Sequence, residues 1–148
     1  KSVSLLVYFV SIFVFTSCSN STVGANGKQI EGTYTVQRIN EKRVPFVSKT
    51  SPNEEDCYYI NNGGWLEVER DGSFQMEVKS LELICNGKNM GGSAREIEGN
   101  YEISGEKISF LPNGPGEAFS GEITQNNKVK GVNVTIASDY YMLRETKL

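Results

Sequence analysis

Three cysteines and no histidine set the outer limit on the chemistry of this 148-residue chain. Without histidine there is no Ser-His-Asp or Cys-His nucleophile and no imidazole to ligate a metal. Cys57 and Cys85 form an even pair once Cys18 is set aside. In an oxidising compartment they are expected to join as a disulfide, the alternative being two separate buried thiols. Their spacing matches no zinc pattern, and two ligands do not hold zinc. The acidic clusters are Glu54-Glu55-Asp56 and the pair Glu67 and Glu69. The first lacks the ligand spacing of a calcium loop, and the second shares one face of a strand and reads as solvated surface. Lone carboxylates without a partner that shifts their pKa do not make an acid–base pair. Gly63-Gly64 and Gly91-Gly92 lack the lysine and helix start of a phosphate loop. The expectation is a protein that is not an enzyme and that uses neither metal nor cofactor.

Cys18 stands in a different context. Lys1 is followed by an apolar stretch over residues 3–15, broken only by Ser4 and Ser11, and then by Thr16 and Ser17. A charged start, a short apolar run and small residues read as a secretory signal, and the run is shorter than the ~20 residues of a membrane span. Phe15-Thr16-Ser17-Cys18 resembles the bacterial lipobox, with Phe where that family usually has Leu. The resemblance implies cleavage before Cys18, diacylglycerol on its sulfur and acylation of the freed amine. It thus predicts a membrane partner reached through the lipid, and two or more chains anchor stably. The alternative is an ordinary signal with an incidental cysteine. Residues 18–29, rich in Ser, Asn and Gly, read as the lipidated cysteine and a tether that buries no core. The cell envelope is the expected location. Ser19 gives no inner-membrane retention signal, so the outer membrane facing the periplasm comes first, with surface display the alternative.

Removing residues 1–17 leaves 131 residues, about one domain. The formal charge of −3 becomes more negative by one with the loss of Lys1. A mildly acidic domain with no basic block is a poor candidate for nucleic acid. From Ile30 the apolar pattern has period two with turn residues at short intervals. Asp71-Gly72 predicts a type I′ hairpin. Ser104-Gly105, Asn126-Asn127 and Ser138-Asp139 predict further turns. Residues 48–56, 86–93 and 113–116 read as longer loops. Eight or nine strands in consecutive hairpins expose two edges unless the sheet closes. The expectation is an all-β, single antiparallel up-and-down barrel of about eight strands over residues 30–148, with a β-sandwich as the alternative. Residues 32–39 should pair with residues 140–144, and Phe74 and Met76 should be buried while Gln75 and Glu77 face water.

Gly32-Thr33-Tyr34, the Asp71-Gly72-Ser73-Phe74 hairpin, Gly99-Asn100-Tyr101-Glu102-Ile103 and a closing strand over residues 140–144 resemble the lipocalin-like domains of bacterial lipoproteins. Where lipocalins proper have Gly-x-Trp, this chain has Gly32-Thr33-Tyr34. The resemblance implies that Arg144 packs over Tyr34.

The period-two apolar set predicts an inner face of Tyr34, Val36, Phe74, Met76, Tyr101, Ile103, Ile108, Phe110, Val132, Val134, Tyr141 and Leu143. Eight strands enclose a space that side chains fill or that holds one small ligand. Read functionally, the protein binds a small apolar ligand in a barrel cavity. The candidate contacts are Tyr34, Val36, Phe74, Met76, Tyr101, Ile108, Phe110, Val134 and Tyr141, with Arg38 for a carboxylate and Trp65 at the mouth. Read plainly, the same residues are a packed core, Arg38 sits in water at the rim and Trp65 caps a strand. A filled barrel would instead suit a protein-interaction module, such as an envelope assembly factor or a hydrolase inhibitor.

Overall fold

A computed structural model describes residues 29–50, 56–126 and 129–146. Cys18 and the segments read from the sequence as a signal and, up to residue 28, as a tether lie outside the described residues. Ten strands follow in order: β1 (Gly32–Ile39), β2 (Lys42–Arg43), β3 (Phe46–Thr50), β4 (Cys57–Val68), β5 (Ser73–Cys85), β6 (Lys88–Ser104), β7 (Lys107–Pro112), β8 (Phe119–Asn126), β9 (Val129–Ile136) and β10 (Asp139–Glu145). From β4 to β10 each strand pairs antiparallel with the next. β1 closes the circle, pairing with β10 on one side and with β4 on the other. The result is an antiparallel barrel of eight strands, with β2 and β3 added between β1 and β4. Closure leaves no long edge on the lower barrel, and this is the physical reason the two terminal strands meet.

The alternation holds where it is strictest. Phe74 and Met76 are each 1% exposed, Gln75 is exposed and Glu77 is half-buried. All twelve residues assigned to the inner face lie in the core; Ile103 alone is only partly buried there. Arg38 departs from it. The β1–β10 register shifts between Val36 and Arg38, so Ile39 takes the inner position and Arg38 is exposed. A bulge inserts one residue and reverses every later side chain on the strand. Arg144 also points outward: its guanidinium donates to the Leu143 carbonyl (2.9 Å) and to Thr124 Oγ1 (3.3 Å). It lies over Gly131, where a Cβ would collide with it, and not over Tyr34.

Turn chemistry explains the remaining differences. At Asp71-Gly72 only Gly72 has positive φ (91°), and Glu69 N donates to the Ser73 carbonyl (3.0 Å). The hairpin is where it was expected but its turn is longer than type I′. Two turns have both φ positive, as a two-residue I′ turn requires: Asn86-Gly87 (51° and 73°) and Asn40-Glu41 (46° and 70°). Residues 86–93 are therefore not a loop: they form the first of these turns and the start of β6. Likewise β3 occupies part of the stretch read as a loop over residues 48–56. Cys57 and Cys85 are directly opposed at the far end of β4 and β5 and are joined as a disulfide, Cα–Cα 4.2 Å.

Candidate ligand site at the barrel mouth

One end of the barrel is sealed. Ile30 is buried just before β1, and the Tyr34 hydroxyl donates to its carbonyl (2.6 Å). Burial, and after it the nearby carboxylates of Glu145 and Glu31, raise the Tyr34 phenol far above its ordinary value, so it stays a donor. The Tyr101 hydroxyl donates to the Glu69 carbonyl (2.8 Å) at the same end. Above them Phe74, Phe110 and Phe119 stack and meet edge to face, with centroids 4.8–6.0 Å apart. Rings in contact at these distances occupy the space a deep ligand would take. Tyr34, Val36, Phe74, Met76, Tyr101, Ile108, Phe110 and Val134 are thus mutual core contacts.

The other end opens along a seam. β1 and β4 pair only from Gly32↔Val68 to Thr35↔Trp65. Above that point β1 turns through Asn40 and Glu41 into β2, and β3 takes over as the neighbour of β4. Gly63 sits at the fork. Its φ is 91°, and a Cβ there would lie 3.0 Å from Val36 and 3.2 Å from Val44. Bulges on either side of Gly63, and another between Val78 and Leu81 on β5, tilt these strands away from the barrel axis.

A cleft of about 370 Å³ lies in this seam. Ile39 from β1, Phe46 from β3, Leu81 from β5 and Tyr141 from β10 give it an apolar floor. Lys42, Lys49 and Lys79 stand round it with one carboxylate, Asp139. The Lys79 ammonium meets Asp139 at 2.9 Å, tying β5 to β10 across the mouth. Asn40 Nδ2 donates to the same carboxylate (2.8 Å) and its Oδ1 accepts from Tyr140 N (2.8 Å). The hydrogen bond from Lys79 holds the Asp139 carboxyl below its ordinary value, opposed by desolvation and helped by Asn40. Lys42 lies over the Phe46 ring (5.4 Å) and Lys49 over the Tyr59 ring (4.7 Å). Such contacts hold ammonium groups at the rim.

Two largely buried residues of the cleft carry a polar group without a protein partner. Asn61 is 8% exposed and Tyr141 is 1% exposed. The Asn61 carbonyl oxygen accepts from Gly63 N (2.9 Å), which fixes the amide so that its NH₂ faces the cleft. Neither that NH₂ nor the Tyr141 hydroxyl has a hydrogen-bond partner among the described residues, yet neither atom is sealed from solvent. Burial, and after it the Asp139 charge, pushes the Tyr141 phenol up to about 12, so it too remains a donor.

Of the candidates read from the sequence, only Tyr141 reaches this cleft. Trp65 lies on the outer face of β4, half-buried, beside Gln75, Glu96 and Glu98. Ile39, Phe46, Asn61, Leu81 and the three lysines were not singled out. They come from five strands, two bulges and a turn, so no spacing in the chain joins them. Among the described residues no group of three or more acidic or cysteine side chains is arranged to hold a metal.

No family model matches the chain, and no curated protein matches it. Among solved structures it is similar to an uncharacterized protein from Bacteroides eggerthii, 10% identical, with a TM-score of 0.45 over 80% of this chain and all of that one.

Proposed function

We propose that this protein is a ligand-binding barrel that holds a small, largely apolar molecule at its mouth and is tethered to the envelope membrane through Cys18. The observation that carries the reading is the cleft itself: an apolar floor in a seam between β1 and β4, above a core whose rings are already in contact. Its volume lies in the range of small-molecule sites, roughly 300–1,000 Å³. The ligand is therefore placed above the core and not inside it.

The test is titration of the mature chain with N-phenyl-1-naphthylamine, a neutral apolar dye that brightens out of water. Saturable binding at one site, lost in Phe46→Asp, supports the reading. Absence of saturable binding in the native protein ends it. Native mass spectrometry of the same preparation should show a small molecule that leaves on denaturation. The tether has its own test: metabolic labelling with a palmitate analogue should mark the wild-type chain and not Cys18→Ser.

One observation favours a second reading, a protein-interaction module. Val47 (55% exposed) and Met90 (63% exposed) stand on the part of the sheet that projects beyond the barrel, with Tyr58, Ile60 and Ile84 half-buried near them. Apolar surface of this kind is what an envelope partner would cover.

A further inference from the structure

Resting on that reading, we infer that the ligand is an amphipathic anion, its charged head at Lys79, Asn61 and Tyr141 and its chain over Phe46 and Leu81. The argument begins with charge. The protein as a whole is acidic, with a formal net charge of −3, yet the cleft gathers three lysines against a single carboxylate. A local reversal of sign at a concave apolar site raises the local concentration of anions. Lys79 has three donors, of which Asp139 engages one, so an incoming anion can share the ammonium without displacing the existing pair.

The two side-chain groups in the cleft that make no hydrogen bond to the protein can both donate. Asn61 and Tyr141 are more than nine-tenths buried as residues; their NH₂ and hydroxyl, still reached by solvent, have no partner among the described residues and face the same space as Lys79. Solvent can pair with these donors, but a ligand that covers them without offering an acceptor leaves them unpaired, which is costly. A ligand that presents acceptor oxygens avoids that cost, and a neutral hydrocarbon does not. A carboxylate offers two oxygens with several lone pairs, enough for an ammonium, an amide and a phenol together. The apolar floor beside these donors then requires that the anion carry a chain.

The test compares two molecules that differ only in the head group. Decanoate and decan-1-ol are used to displace N-phenyl-1-naphthylamine from the native protein. Decanoate should displace at a concentration lower by about tenfold or more. That preference should shrink as salt is raised. Lys79→Gln should remove most of it by weakening decanoate far more than decan-1-ol, while Asp139→Asn should strengthen decanoate by removing the like charge. Lys79 is exposed and Asp139 is at a turn, so both variants should keep the fold; circular dichroism verifies this. Equal displacement by the two molecules, or a preference for decanoate untouched in Lys79→Gln, overturns the anionic head group while dye binding still upholds the ligand site. If the dye itself does not bind, it is the ligand site that fails.

Discussion

The two ends of the barrel are built from the same strands and differ in almost everything else. At the closed end every strand has a neighbour on each side, side chains alternate without interruption, and tyrosine hydroxyls are spent on backbone carbonyls. At the open end β1 and β4 have parted, register shifts in the β1–β10, β3–β4, β4–β5 and β5–β6 pairings break the alternation, and two polar groups without a protein partner are left facing a cleft. The contrast teaches where stability and binding are divided. A regular ladder leaves no polar group over for a ligand; the irregular half does.

Substitutions can break this contrast or sharpen it. The largest effect should come from the core near the closed end. Phe74→Ala removes a ring that touches two others and should cost about 3–5 kcal/mol by urea denaturation. Leu81→Ala, half-buried at the mouth, should cost about 1 kcal/mol. Equal losses would mean that the ends are not energetically distinct. Next comes the disulfide, which closes a segment of 28 residues. The chain-entropy relation gives it roughly 3.5 kcal/mol. A Cys57→Ser and Cys85→Ser double variant should melt lower, and its first proteolytic cuts should fall in β4–β6 beyond the barrel. Cuts appearing first in β7–β10 would contradict that placement.

Smaller effects follow. Tyr34→Phe leaves the Ile30 carbonyl buried without its donor and should cost about 1–2 kcal/mol in thermal or urea unfolding. The smallest effect is the contact between Lys79 and Asp139. The folded-state pKa of Asp139 lies below its ordinary value, chiefly through the Lys79 hydrogen bond, so the contact contributes fully above about pH 4 and fades as pH falls through the lowered value. Both side chains are partly in water, so no more than about 1 kcal/mol is at stake. Lys79→Met should flatten this part of the stability–pH profile and leave the rest unchanged.

How much of this was legible in the sequence follows the same division. From Phe74 to Val78 and from Val132 to Ile136 the period of two is unbroken, so the inner face, the barrel and the meeting of the terminal strands could be read directly. Arg38 had two readings, inward with Tyr34 and Val36 or in water at the rim, and the bulge that makes the second one true carries no mark in composition. Asn86-Gly87 is a strong turn signal, but the glycines of residues 91 and 92 drew the whole stretch into a loop. The pairing of Cys57 with Cys85 could be read from their even number and the expectation of an oxidising compartment. The cleft was not legible. Lys42, Lys49 and Lys79 form no run, and Asn61 becomes a donor only because the Gly63 amide turns it.

The sealed end also fixes an orientation. Ile30 lies at that end, and the other terminus returns to it, with Thr146 N donating to the Thr33 carbonyl (2.8 Å). The chain therefore enters and leaves on one pole, while the cleft opens on the other, a strand's length away, about 25 Å for the eight residues of β1. Attachment of any kind through the segment before Ile30 would hold the molecule by its pole of entry. The mouth would then look away from the surface of attachment, toward whatever diffuses past it.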